Sequence, residues 1–176
     1  MIQYLVVEHF AVASMGMENA SSSSTAQWKY DVFISFRGED TRNNFMDHLY
    51  NALIVKGINT FRDDEKLERG KPISLELLKA IEKSRFTVVI LSKDYASSHW
   101  CLDELAKIIA CKEDMGMIVL PVFHYVEPSY VRKQMGTFAQ AFIKHEENEE
   151  ETRVDKWRDA LRQVGNLPGW HLKDTR

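Results

Sequence analysis

Nearly unbroken runs of apolar, β-forming residues recur along this chain, each separated from the next by a segment with helical periodicity. Tyr30-Asp31-Val32-Phe33-Ile34-Ser35-Phe36, Phe86-Thr87-Val88-Val89-Ile90-Leu91 and Met117-Ile118-Val119-Leu120-Pro121-Val122-Phe123 are such runs, and Ile58-Asn59-Thr60-Phe61 is a shorter one. A strand that is apolar on both sides must be covered on both sides, so strand–helix alternation of this kind predicts a parallel sheet with helices on both faces. Four strands are strong. A fifth is expected around His171 or between Phe123 and Pro128. Pro121 lacks an amide proton, so interrupted pairing is expected late in its strand.

The intervening helices are read from spacing. Phe45, Leu49, Ala52 and Leu53 repeat at helical intervals from Thr41 until Gly57. Ser74 is placed to cap a helix with the face Leu77, Leu78 and Ile81. Another helix runs from about Leu102 to Lys112, and a region from Tyr130 to His145 is broken near Gly136. The acidic run Glu146 to Glu151 reads as a solvated loop. Thr152-Arg153-Val154-Asp155 resembles a capping box, and Val154, Trp157, Leu161 and Val164 form the stripe of the helix it would open. Residues 62–72 are charged, contain Gly70 and lack periodicity, which predicts a long exposed loop.

With 176 residues and 44% hydrophobic content, the chain can bury one core. A net charge of -3 argues against a nucleic-acid surface built on overall charge, and no basic stripe interleaved with aromatics is present. Cys101 and Cys111 fall in one helix about 15 Å apart, too far for a disulfide. A reducing, intracellular compartment follows. No Cys or His pair has metal-ligand spacing. The apolar run Tyr4-Leu5-Val6-Val7 is interrupted by Glu8 and His9 and is too short to span a membrane. Together with Ser21-Ser22-Ser23-Ser24-Thr25 it places a disordered leader over residues 1–28.

Several segments spell a family pattern. The run from Tyr30 through Phe36 and Arg37-Gly38-Glu39-Asp40-Thr41-Arg42 resembles the opening box of plant Toll/interleukin-1 receptor (TIR) domains. Gly57-Ile58-Asn59-Thr60-Phe61-Arg62-Asp63-Asp64 is similar to their second box, and Leu67-Glu68-Arg69-Gly70-Lys71-Pro72-Ile73 to the tip of their BB loop. Tyr95-Ala96-Ser97-Ser98-His99-Trp100-Cys101-Leu102-Asp103-Glu104-Leu105 resembles the helix-C box, and Val119 to Phe123 with Pro128-Ser129 and Val131-Arg132 the fourth. The resemblance covers roughly Lys29 to Trp170 and implies a TIR domain over 29–170, with 171–176 a tail or the start of a linker. It is closest to the N-terminal modules of nucleotide-binding, leucine-rich-repeat immune receptors. A TIR-only protein and an excised domain both fit.

The implied fold is flavodoxin-like: a doubly wound, mostly parallel five-stranded α/β sheet. The implied functions are self-association that transmits a plant immune signal leading to cell death, and cleavage of NAD at the nicotinamide–ribose bond in an assembled state. NAD is then the substrate, no cofactor or metal is required, and the location is cytoplasmic, with the nucleus as a second compartment. Partners are further copies of the chain, other TIR proteins, and NAD or a related nucleotide.

The family's catalytic glutamate falls on Glu104, beyond the C-terminal end of a strand, where open α/β sheets bind ligands. Nicotinamide leaves NAD as a neutral molecule from a cationic precursor, so no general acid is needed. One fixed carboxylate can stabilise the oxocarbenium-like ribosyl cation that remains. The helix N-terminus is expected to favour the ionised form of Glu104.

The expected substrate-binding set is Phe36, Arg37, Gly38, Ser98, Trp100 and Cys101. Arg37 suits a phosphate and Gly38 a close backbone approach, although a tight turn explains both. Trp100 either stacks on a base or ribose or seals the helix start, and Ser98 either caps the helix or meets a ribose hydroxyl. Asp103 is expected to face solvent or cap the helix. Loop and oligomer contacts fall on Arg69, Gly70, Lys71, Asp47, His48, Gly136 and Trp157. Related domains often carry Ser-His where Asp47-His48 stands here, and Trp157 also fits the core stripe.

Two other functions compete. A non-enzymatic TIR–TIR scaffold needs only the surfaces. A phosphoacceptor receiver would use Glu39, Asp40 and Asp94, but the box motifs and the long second loop oppose it.

Overall fold

The computed structural model describes residues 2–15, 28–38, 45–63 and 72–173. In chain order the elements are α1 (Ile2–Met15), β1 (Tyr30–Ser35), α2 (Asp47–Val55), β2 (Thr60–Arg62), α3 (Leu75–Glu82) and β3 (Ser84–Leu91). A 3-10 turn (Tyr95–Ser97) leads to α4 (His99–Met115). Then follow β4 (Ile118–His124), α5 (Pro128–Lys133), α6 (Thr137–Asn148), α7 (Glu151–Gly165) and β5 (Trp170–Leu172). The five strands are all parallel, in the order β2-β1-β3-β4-β5.

Strand alternation divides the core into two layers. Val32, Ile34, Phe86, Val88, Ile90, Leu120 and Val122 face one way, and α1 and α2 cover them. Phe33, Val89, Leu91, Val119 and Phe123 face the other way, with residues of α3 to α7 packed over them. Both faces of the central strands are therefore apolar, as the runs require.

The leader is corrected in part. Ile2–Met15 is helical, with Val6, Val7 and Phe10 buried. Phe10 meets the Phe86 ring edge-on at 5.2 Å and His9 meets Trp170 at 5.5 Å. The exposed part of the sheet over β3 and β5 gains a cover this way, which is the physical reason an apolar helix docks there. The tail is corrected as well: His171 and Leu172 pair with Phe123 and His124 as strand β5. Pro121 does not interrupt pairing; it sits in register with Val89 inside β4.

Boundaries elsewhere differ from expectation by tertiary packing. The acidic run is mostly helical, because α6 extends to Asn148 and α7 starts at Glu151. Thr152 lies inside α7, so it does not form the capping box; Glu150 holds the cap position without a side-chain hydrogen bond. Ser74 does cap α3, accepting from the Leu77 amide.

A candidate catalytic site at the sheet switch point

In a sheet of order 2-1-3-4-5 the connections leave β1 and β3 in opposite directions, opening a crevice at their C-terminal ends. Ser35 closes β1 there, in register with Val89 of β3. By strand alternation its side chain shares the face of Phe33, beneath α4. Helix α4 begins at His99, capped by Ser98 Oγ accepting from the Cys101 amide at 3.2 Å, and ends at Gly116 in the left-handed region (φ 70°). Ser98 is thus the helix cap. The Cys101 thiol donates to the Phe36 carbonyl at 3.7 Å, tying the first turn of α4 to the end of β1. Cys101 and Cys111 are buried and not disulfide-bonded.

Glu104 is only 3% exposed. Its carboxyl pKa is raised well above the ordinary value, first by burial and then by the negative charge of Asp63 beyond β2 and, less, of Asp103. Hydrogen bonding with Ser35 and the indole edge of Trp100 pull the other way. The expectation that the helix N-terminus keeps Glu104 ionised is corrected: Glu104 is the sixth residue of α4, past the first turn where that field acts, and desolvation dominates.

Trp100 is 6% exposed, so it seals the start of α4 and offers no open stacking face here. Its Nε1 approaches the Glu104 carboxyl closely enough to favour the ionised form, but among the described residues no group meets it at hydrogen-bond geometry. We read it as a near contact, with the N–H still available to donate. Phe36 is buried, while Arg37 and Gly38 are half-buried at the same strand end. All six expected binding residues therefore gather at the end of β1 and the start of α4.

Sequence reasoning missed Ser35 and Tyr95. Tyr95 is fully buried, with its hydroxyl 2.8 Å from Ser35 Oγ and donating to the Cys101 carbonyl at 3.1 Å. A serine on the inward face of an otherwise apolar strand was the signal available. Asp103 was also misplaced: it accepts from Arg153 (Nη2, 2.6 Å) and from Trp157 Nε1 (2.9 Å), both on α7.

The sequence profile described as TIR domain matches residues 29–176. The chain belongs to the TIR domain family. It is 54% identical over 170 residues to "Disease resistance protein RPV1" of Vitis rotundifolia, an alignment covering 94% of this chain and 12% of that protein. "TMV resistance protein N" of Nicotiana glutinosa is 51% identical, with 85% and 13% covered. The chain thus spans about an eighth of the length of these relatives. Among solved structures, a TIR domain of the activated Roq1 resistosome superposes with a TM-score of 0.75 at 57% identity, covering 83% of this chain and 89% of that one.

Of the remaining positions, some lie at the surface of the TIR domain, one lies in its core and others lie outside what is described. Arg69, Gly70 and Lys71 lie outside the described residues, as do Glu39, Asp40 and the serine run 21–25. His48 is exposed on α2. Asp47 pairs with Arg62 of β2 at 2.9 Å, bracing α2 on the sheet edge. Gly136 is exposed at the start of α6 (φ 60°), against the Tyr130 ring. Trp157 is corrected as a surface contact: at 1% exposure it is part of the core, as its stripe also allowed. Among the described residues there is no cluster of three metal-ligating side chains, and no helix is long and apolar enough to cross a membrane.

Proposed function

We propose that this TIR domain is the signalling module of a plant disease resistance protein and that, once assembled with further copies, it cleaves NAD at the nicotinamide–ribose bond with Glu104 as the catalytic carboxylate. The observation that carries the reading is the position of Glu104: a buried carboxyl in the second turn of α4, at the β1/β3 switch point, beside the end of β1 to which Cys101 ties the helix. Ionised, it would stabilise positive charge on the ribosyl carbon as neutral nicotinamide departs. Arg37 would meet the diphosphate and Gly38 would admit it. Water or a group of the nucleotide itself then takes the cation, giving hydrolysed or cyclised ADP-ribose products. NAD is the substrate and no resident cofactor is invoked. The module works in the cytoplasm and, where the signal ends there, the nucleus.

The burial of Glu104 and the upward push it gives the carboxyl pKa support a requirement for assembly. A single domain presents a covered carboxyl whose pKa is raised, first by burial, and which is poorly placed to serve a cationic transition state. Docking of a neighbour that opens the site or brings positive charge to it would ionise Glu104. The same observation favours a second reading, a scaffold without turnover.

The test tethers the chain to a multimerising partner and follows NAD loss. The enzyme reading expects loss with the wild type and none with Glu104→Ala. Assembly without loss in either leaves the scaffold.

A further inference from the structure

Helix α1 is apolar on both of its long faces. Val6, Val7 and Phe10 are buried against the sheet, while Tyr4, Leu5 and Val12 stand exposed on the outer side, Tyr4 to 73%. A helix that is apolar all round is ordinarily covered all round. The outer side of α1 is left uncovered by the described residues.

That apolar side continues onto α2, which packs beside α1. Glu8 lies one turn from Tyr4 and one turn from Val12, on the same side of α1, and its carboxylate pairs with Lys56 Nζ at 3.6 Å. Lys56 ends α2 and directly follows Ile54 and Val55, both exposed, Val55 to 83%. Five large apolar side chains therefore meet around one ion pair. Together they present on the order of 500 Å² of apolar surface, near the upper end for a monomer. The contact surfaces expected from the family resemblance lie elsewhere. His48 is at the other end of α2, about 11 Å along the helix from Val55, and Gly136 opens α6 on the opposite face of the sheet.

We propose that the patch of Tyr4, Leu5, Val12, Ile54 and Val55 docks a second copy of this chain across a two-fold axis, with the two α1 helices antiparallel. Charge selects the occupant. A helix that lies on a lipid surface carries Lys and Arg to meet anionic headgroups, whereas α1 contains neither. A nucleic acid needs free cations, and the lysine at this patch is paired with Glu8. A second copy meets no charge penalty, because the patch holds one negative and one positive group. A half-turn rotation sets Tyr4 of each copy opposite Val12 of the other, and Glu8 of each copy beside Lys56 of the other. The surface is thus self-complementary, as a two-fold contact requires. Two copies would bury roughly 1,000 Å² in all, the lower limit of a specific interface, so the dimer is weak and depends on concentration. The contact supplies one surface for the assembly that the proposed function invokes. Its test reads molecular mass and not NAD loss, so the two readings fail separately.

The experiment is sedimentation equilibrium of the full chain from about 5 to about 500 µM. The wild type is expected to pass reversibly from monomer to dimer. Leu5→Asp and Val55→Asp change exposed positions and leave the core intact, and each should raise the dimer dissociation constant at least about ten-fold. The sharper arm uses charge reversal. Glu8→Lys alone and Lys56→Glu alone place like charges across the axis and should stay monomeric, while their equimolar mixture should dimerise, because each copy then offers the charge the other lacks. A wild type that is monomeric throughout overturns the proposal. So does a dimer indifferent to Leu5→Asp and Val55→Asp, or a mixture no more associated than its components. Flotation of a monomeric chain with phosphatidylcholine–phosphatidylserine vesicles, lost in Leu5→Asp, would assign the patch to lipid and likewise overturn it.

Discussion

Trp157 Nε1 on α7 donates across 2.9 Å to Oδ1 of Asp103 on α4, the residue that immediately precedes Glu104. Arg153 reaches the same carboxylate through two nitrogens and also lies over the Trp157 ring, 4.8 Å from its centroid. Asp103 is thus a joint between two helices, and it fixes the rotation of α4 about its axis. Because Asp103 and Glu104 are about 100° apart on that helix, locking one outward toward α7 aims the other beneath the helix toward Ser35. Asp103→Ala should destabilise the domain by about 1–3 kcal/mol, since it strands the buried indole N–H. Urea denaturation midpoints check this. Trp157→Phe keeps most of the ring and should cost less than Asp103→Ala; the reverse ranking would mean that packing, not the hydrogen bond, holds the joint.

Glu104 should make the fold less stable as pH rises. Its folded pKa lies well above the unfolded value of about 4.5. Below that unfolded value both states hold the proton and there is no penalty. Above it the unfolded chain ionises while the native chain does not, so the unfolded state binds fewer protons and native stability declines until the folded pKa is passed. Glu104→Gln removes the titration. The variant should therefore melt at a higher temperature than the wild type at pH 7, with the gap closing toward pH 4. Thermal melts across that range test it, and a gap independent of pH would contradict the raised pKa of Glu104.

Much of this was legible in the sequence because the signals are local. Apolar runs such as Phe86 to Leu91 can satisfy their surroundings only inside a covered sheet, and Ser98 and Ser74 cap the helices that follow them. The stripe Val154, Trp157, Leu161 and Val164 is buried throughout. What escaped depends on distant contacts. Ser35 and Tyr95 are 60 residues apart, and nothing near either one announces the other. The upward push on the Glu104 pKa follows from burial, which a helical position alone does not reveal. Helix α1 escaped for another reason: Tyr4, Leu5 and Val12 stay exposed although apolar, so its buried face carries no contrasting polar face to mark it.

That helix should contribute to stability even though it precedes the family match. Phe10 is 1% exposed and packs against Phe86 of β3. Phe10→Ala should cost about 3 kcal/mol, the usual loss for a large buried ring. Deleting residues 1–28 should cost at least as much and expose the face of β3 and β5, with dye binding to apolar surface increasing. Equal stability of the full and truncated chains would restore the picture of a passive leader.

Gly169 lies where α7 returns to the sheet and β5 begins. A Cβ built there would overlap the Pro121 carbonyl oxygen and sit 2.7 Å from Pro121 Cγ. Both are parts of a rigid ring and a backbone inside β4, so neither can swing aside as the end of a flexible side chain would. Pro121 has no amide proton to give at this point of the strand, and the close approach of the Gly169 backbone fills the space beside it. Gly169→Ala must therefore push β5 off β4. The expected cost is upward of about 2 kcal/mol, at the high end for a surface substitution of this size. Amide hydrogen exchange gives the sharper measurement, because Tyr125 donates to the Leu172 carbonyl at 3.1 Å and its protection reports the docking of β5. Protection of Tyr125 should fall in the variant while the amides of β1 and β3 keep theirs. A variant with unchanged protection at Tyr125 would show that the two backbones have room to separate without losing the strand.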